Sequence, residues 1–219
     1  MPRPSAVKPP AHPDLGLENS LWSAGLALVA GLDEAGRGAW AGPVFAAAVI
    51  LPQDDGLLVR LNGVRDSKQM TARQRRLWAG QIQAAGQAWG IGQADSQEVD
   101  RMGIVPATRL AMERALQACG CQAEHLLIDA LKLPQVDLPQ SAIIKGDARS
   151  LSIAAASVLA KTARDALMEQ FDQEFPGYGF GRHKGYGTAA HRVALERLGA
   201  CTLHRMSFGP LRRLSQDPG

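Results

Sequence analysis

Four carboxylates stand where short apolar segments end: Asp33 and Glu34 after Val29–Leu32, Asp129 after His125–Ile128, and Asp147 just past Ala142–Lys145. Carboxylates are hard oxygen ligands suited to Mg2+ or Mn2+, and no His/Cys cluster competes for a softer metal. A single acid at a strand end is commonly a turn or cap residue. Four in equivalent places, two of them adjacent inside LVAGLDEAGRGAWAGPV, are harder to explain by folding, because neighbouring like charges repel unless something positive lies between them. The chemistry that needs several carboxylates is phosphodiester hydrolysis, in which two metal ions activate a water and stabilise the leaving oxygen. No other engine is present: there is no G-x-x-x-x-G-K-[ST] loop, no G-x-S-x-G elbow and no H-E-x-x-H. The glycines of Gly177–Gly187 follow a helical stretch rather than a strand, so they do not read as a dinucleotide loop.

The elements that must hold these acids follow from apolar patterning. Val29–Leu32 and Val44–Leu51 read as two buried strands joined by a Gly-rich, charged turn. Thr71 with Gln74 three residues on is a capping box, which predicts a helix over Ala72–Ala85. Trp89–Gly92 reads as a third strand, and Ser96 opens a short helical stretch. Pro106 suits the first turn of a helix running to about Ala118, with Leu110, Ala111, Ala115 and Leu116 inward and Gly120 ending it. His125–Ile128 and Ala142–Lys145 are two more short buried strands. Ser152–Gln170 is a long Ala-rich helix, PGYGFGRHKGYG a loop, and Thr188–Leu198 a final helix. Strands alternating with helices give an α/β sheet covered on both faces, followed by a small helical C-terminal region.

With 219 residues, 46% hydrophobic and 21% charged, the chain has the composition of an ordinary globular protein, not of a collagen, coiled coil or disordered polymer. Its main run without a charged or strongly polar side chain, around Ala39–Leu51, is broken by Gly42-Pro43 and is too short to span a bilayer. Three cysteines, Cys119, Cys121 and Cys201, give no disulfide framework and fit a reducing cytoplasm. Five prolines in the first thirteen residues predict an unstructured tail over residues 1–17 rather than a signal peptide. The net charge of +3 is unevenly placed. Arg182–Arg213 carries seven Lys/Arg (Arg182, Lys184, Arg192, Arg197, Arg205, Arg212, Arg213) against Glu196, a net +6 that leaves the rest at −3. With His183, His191 and His204 interleaved, this segment reads either as a phosphate-facing surface or as a solvated basic helix.

Six blocks together carry a family resemblance: GLDEAGRGAWAGPV at Gly31–Val44, RDSK at Arg65–Lys68, LLID at Leu126–Asp129, KGDARSLSIAAASVLAK at Lys145–Lys161, FPGYGF with HKGYGT at Phe175–Thr188, and RMSFGP at Arg205–Pro210. Their types and order resemble bacterial ribonuclease HII from about Leu21 to Leu214. The resemblance implies a ribonuclease H-like mixed sheet flanked by helices, with a catalytic domain over 18–187 and a basic helical region over 188–219 packed on it. It implies endonucleolytic cleavage of RNA in RNA–DNA hybrids and on the 5′ side of single ribonucleotides in duplex DNA, leaving 3′-hydroxyl and 5′-phosphate ends. Such an enzyme serves ribonucleotide removal in replication and repair, and is expected to be a cytoplasmic monomer.

Carried over by motif, Asp33, Glu34, Asp129 and Asp147 are the acids that hold Mg2+ or Mn2+. The Gly36-Arg37-Gly38 backbone reads the ribose 2′-hydroxyl, and Tyr186 packs on the sugar of the following deoxynucleotide. Glycines allow close main-chain approach, and the 2′-hydroxyl, both donor and acceptor, separates RNA from DNA. Lys68 and Lys161 are expected phosphate contacts, and Ser157, one turn before Lys161, a hydroxyl donor to phosphate. Asp165 is expected in a helix-surface ion pair, and Trp22, Trp40, Trp78 and Trp89 in packing. One departure stands beside a ligand: position 130 is Ala where many members have Gly, followed by Leu131-Lys132-Leu133-Pro134 in place of a more polar stretch. Two other readings are a different nuclease or strand-transfer enzyme of the same fold and a silent nucleic-acid-binding module. The Gly36–Gly38 and HKGY blocks oppose the first, and retention of all four acids opposes the second, since carboxylates beside phosphate weaken binding unless they hold metal.

Overall fold

The structure, a computed structural model, describes residues 12–54 and 56–214. Its strands are β1 (Val29–Ala35), β2 (Val44–Ile50), β3 (Ala88–Ala94), β4 (His125–Asp129) and β5 (Gln140–Ile143). They form one mixed sheet in the order β3-β2-β1-β4-β5, with β1–β2 and β2–β3 antiparallel and β1–β4 and β4–β5 parallel. The helices are α1 (Gly16–Ser23), α2 (Leu57–Arg60), α3 (Ala72–Ala85), α4 (Ser96–Met102), α5 (Ile104–Cys119), α6 (Leu151–Glu174), α7 (Phe180–His183), α8 (Ala189–Leu198) and α9 (Gly209–Leu214). Among the described residues no helix is long and apolar enough to cross a membrane.

Strand β2 is buried along its whole length, and its period of two divides the core. Ala46, Ala48 and Ile50 meet Ala107, Ala111, Met112 and Ala115 of α5 on one face. Ala47 and Val49 meet the Ala154–Ala156 run, Val158 and Leu159 of α6 on the other, with Ala79 and Ile82 of α3 beyond. Small residues in α6 let it lie close to the sheet. At Gly31 the fit is tightest, since a Cβ there would overlap the backbone of Ser152. Any side chain at position 31 would therefore push α6 off β1 and move whatever α6 contributes near Asp33.

The predicted capping box forms, with Thr71 accepting from the Gln74 amide and Gln74 returning the bond, and α3 spans the expected residues. Helix α5 ends at Gly120 as expected, but Leu110 and Leu116 are only partly buried, and its deepest residues are Ala107, Thr108, Ala111, Met112 and Ala115. Strand β5 lies two residues earlier than predicted and is not buried: it is the sheet edge, and Ile144 beyond it is exposed. The loop after α6 folds one turn, α7, around the buried Phe180. The N-terminal expectation also shifts. Residues 1–11 lie outside the described residues, but α1 begins at Gly16 and Leu15 is buried. The Asp14 carbonyl accepts from Leu151 N at 2.8 Å, and buried Glu18 accepts from Ser150 Oγ (2.6 Å), Ser152 N (3.0 Å) and Ser152 Oγ (2.6 Å), so this segment caps the start of α6. The proline-rich composition stops at Pro13, and Leu15 and Leu17 behind it have an apolar surface to bury.

Candidate active site

Parallel pairing of β1 and β4 brings the first acids together. Leu32 faces Ile128 in register, so Asp33 and Asp129 sit one residue further on at the carboxyl ends of adjacent strands, where open α/β sheets place their sites. Asp129 Oδ1 accepts from Gly146 N at 2.7 Å, tying β4 to the turn Gly146–Ala148 that carries Asp147. Lys145 enters that turn in the left-handed region. Ala130 is left-handed as well, with φ of 52°. That conformation costs an L-residue about 1 kcal/mol more than glycine, which explains why glycine suits the position.

Asp33 is only 3% exposed. Its Oδ1 accepts from Glu34 N at 2.7 Å, while Oδ2 is buried with no hydrogen-bond partner among the described residues. Glu34 Oε1 takes Arg37 Nη1 at 3.0 Å, and its Oε2 is likewise buried and unpartnered. Burial, then repulsion from Glu34 and Asp129, pushes the Asp33 carboxyl well above its ordinary range. Burial raises Glu34 against the pull of Arg37, and burial with Asp66 and Asp129 raises Asp147. Among the described residues no three His, Cys or acidic side chains stand close enough to form a finished ion cage. The arrangement is an open set of carboxylate oxygens, two of them buried and orphaned, with excess negative charge. That donor set fits a hard divalent cation, which would satisfy the orphaned oxygens and relieve the repulsion.

A cleft of about 180 Å³ opens on these acids. Asp33, Glu34 and Asp129 line it together with Gly36, Arg37, Gly38, Lys68, Lys161 and Tyr186. Nine of the eleven residues expected from the sequence thus share one hollow; Asp147 and Ser157 are not among its lining residues. Lys68, with its side chain 74% exposed, places Nζ 3.6 Å from Asp147 Oδ2 and 3.8 Å from Asp66 Oδ1. Burial works against its charge, but Asp66, Asp33, Asp147 and Asp129 together outweigh it and raise its pKa. Lys161 is less available. Its Nζ is bonded to Asp165 at 2.5 Å, and burial lowers its pKa. Asp165 forms ion pairs as expected, with Lys161 and with Arg75 at 2.8 Å, but it is buried rather than on the surface. Ser157 corrects its expected role: it is 1% exposed and its Oγ lies 2.9 Å from Ser67 Oγ. A hydroxyl so buried supports the Lys68 turn and does not present itself to a phosphate.

The C-terminal basic segment is corrected more substantially. His183, His191 and His204 are core residues. His191 Nδ1 donates to the Tyr186 carbonyl at 3.0 Å, His191 Nε2 and His204 Nε2 are 3.0 Å apart, and His204 Nδ1 accepts from Cys201 N at 2.9 Å. The carbonyl can only accept, so His191 carries a proton on Nδ1, while His204 Nδ1 has the Cys201 carbonyl within reach at 3.2 Å as well as the Cys201 amide. Burial depresses His191 to about 4 and lowers His204 too. Arg205 is fully buried, donating to Gly42 O at 3.0 and 2.8 Å and to Arg37 O at 2.9 Å. Burial and then Arg164 push it down to about 9. Lys184 pairs with Glu169 at 2.7 Å, and Arg192 lies over Trp40. Arg205 and the three histidines are therefore a buried clamp, while Arg182, Arg192, Arg197 and Arg212 stay exposed. The sequence reasoning missed this clamp because a Lys/Arg/His run carries no mark of burial. It also missed Arg164, whose only signal is its place seven residues after Ser157 on the sheet-facing side of α6.

A family model described as Ribonuclease HII matches residues 30–210. The Ribonuclease HII of Synechococcus sp. (strain JA-3-3Ab) is 52% identical over 203 residues, covering 93% of this chain and 91% of its own. That of Chloroflexus aurantiacus is 52% identical over 204 residues, covering 91% and 94%. That of Anaeromyxobacter sp. (strain Fw109-5) is also 52% identical, and there the match spans 90% of this chain but 62% of the longer relative. The crystal structure of ribonuclease H2 from Pyrococcus horikoshii superposes with a TM-score of 0.70 at 23% identity, covering 86% of this chain and 97% of that one. Bst-RNase HIII in complex with Mn2+ gives 0.66 at 20% identity, over 86% and 69%. These two likenesses speak for the fold. With residues 30–210 matched and half of all aligned positions identical in near-full-length relatives, the chain belongs to the ribonuclease HII family of RNase H nucleases.

Proposed function

We propose that this chain cleaves the phosphodiester on the 5′ side of a ribonucleotide, in RNA–DNA hybrids and at single ribonucleotides within duplex DNA, leaving 3′-hydroxyl and 5′-phosphate ends. The observation that carries this reading is the convergence on one cleft of orphaned carboxylates with the Gly36–Gly38 backbone, Lys68 and Tyr186. Asp33, Glu34, Asp129 and Asp147 hold Mg2+ or Mn2+, which when bound supplies the charge that activates the attacking water and stabilises the departing 3′-oxygen. The Gly36-Arg37-Gly38 main chain reads the 2′-hydroxyl, a group DNA lacks. Tyr186 takes the next sugar, and Lys68, free of the core and beside Asp147, contacts the phosphate backbone. The Lys161 charge is turned to Asp165 and supports the same wall. A bacterial enzyme of this kind would act as a monomer in the cytoplasm, clearing ribonucleotides during replication and repair.

The test is cleavage of an end-labelled duplex holding one ribonucleotide, with Mg2+, with Mn2+ and with chelator, beside an all-DNA control. A metal-dependent cut 5′ of the ribonucleotide and an intact control are expected. Equal cutting of the control would remove the 2′-hydroxyl reading, and cutting in chelator would remove the role given to the acids.

A further inference from the structure

Arg164 is fully buried on α6, and its hydrogen-bond partners are all main-chain carbonyls. Nε donates to Pro43 O at 3.0 Å and Nη2 to Ala41 O at 3.1 Å, both in the loop that runs on from Gly36–Gly38. Nη1 donates to Lys184 O at 2.9 Å, two residues before Tyr186. The guanidinium carbon lies 5.5 Å from the Tyr186 ring centroid, within reach of a cation–π contact. On its other side the Arg164 side chain fills the space at Gly36, where φ is +92° and a Cβ would overlap Nε. One rigid group thus touches the glycine loop, the tyrosine loop and the tyrosine ring.

Packing alone does not call for an arginine there. Burying a guanidinium costs several kcal/mol, and an apolar side chain of similar volume would fill the same space without that cost. What an apolar residue lacks is a planar fork that fixes two loops at a set separation. We propose that Arg164 is a positioning residue that sets Tyr186 in register with the Gly36–Gly38 backbone, so that ribonucleotide and following deoxynucleotide are read as one unit. This rests on the roles given above to those two loops.

The test is a double-mutant cycle on a duplex with one ribonucleotide, using the wild type, Arg164→Lys, Tyr186→Ala and the pair. Lysine keeps the charge but cannot span the three carbonyls. Misplacing a reading group by about 1 Å costs on the order of 100-fold, so Arg164→Lys should lose about that much kcat/KM, chiefly in kcat, with duplex binding in chelator little changed. In the Tyr186→Ala background the same change should cost less than about 10-fold, because the group being placed is gone. Losses that multiply would overturn the proposal and leave Arg164 a purely structural residue.

Because a buried arginine variant can fail to fold, the unaltered chain supplies a second reading by NMR. The Arg164 Nε–H should exchange slowly with water and shift when the ribonucleotide duplex is added in chelator. A signal that ignores the ribonucleotide duplex would refute the proposal, as would one that moves equally with all-DNA duplex. The two failures separate cleanly. A wild type that does not prefer the ribonucleotide duplex defeats the proposed function, whereas a selective wild type with multiplying losses defeats only the role of Arg164.

Discussion

Asp33→Asn should remove cleavage and at the same time stabilise the metal-free protein. Asp33 is buried, one of its oxygens has no partner, and Glu34 and Asp129 add repulsion to the cost of burial. An unpartnered buried polar group costs about 1–3 kcal/mol, more when charged. Replacing the carboxylate with a neutral amide, which also offers a donor to the acids around it, should return about 2 kcal/mol. For a chain of this size that is about 4–8 °C in melting temperature. The pH dependence has a fixed sign. A carboxyl whose folded pKa is raised above the ordinary 3.8 holds more protons folded than unfolded in between, so its presence weakens the fold as pH climbs through that window. The melting advantage of Asp33→Asn in chelator should therefore be near zero at about pH 4 and grow as pH rises above it. Added Mg2+ or Mn2+ should raise the wild-type midpoint more than the variant's, because binding to the folded state alone stabilises it. The assay is a thermal melt of both proteins across pH, with chelator and with metal. A variant less stable than wild type in chelator at neutral pH, or an equal metal-linked shift in both, would refute this reading of the site.

Ala130→Gly should stabilise the fold by about 1 kcal/mol by relieving a left-handed alanine, visible as a higher urea midpoint at unchanged slope; no gain would mean the flanking β4–β5 loop sets the cost. Lys68→Ala should weaken duplex binding similarly for every sequence and lower the salt slope by about one charge, and an unchanged slope would separate Lys68 from phosphate. His191, depressed to about 4, binds fewer protons folded than unfolded between pH 4 and 6.5, so acidification through that range should cost about 2–3 kcal/mol of stability. His191→Leu should flatten that slope in urea titrations at stepped pH while lowering stability at pH 7, because the Tyr186 carbonyl loses its donor. Tyr186→Ala should lose about 10- to 100-fold more activity on a single embedded ribonucleotide than on a long hybrid, and equal losses would remove the junction-reading role.

Local patterning was enough for much of this architecture. The Thr71/Gln74 capping box, the apolar runs of β1 and β2 and the Ala-rich stretch of α6 are short-range signals that burial in the sheet core reinforces, so sequence and structure agree on them. Edge elements were less legible: β5 is half-buried, and α1 follows a proline-rich start that points away from order. The acids could be named from their positions at strand ends, because a parallel register carries neighbouring strand ends to one place. The sequence by itself determined the family and the α/β class and pointed to the four acids, since these depend on residue types and on spacing along the chain. Only the tertiary structure decided what the cations and histidines do. Whether a Lys, Arg or His faces phosphate, an acid or a carbonyl depends on which distant segment covers it. That is why Lys68 emerges as the exposed charge beside Asp147, Lys161 is bound to Asp165, and Arg164, Arg205 and His191 hold the carbonyls of Lys184, Arg37 and Tyr186 from inside the core.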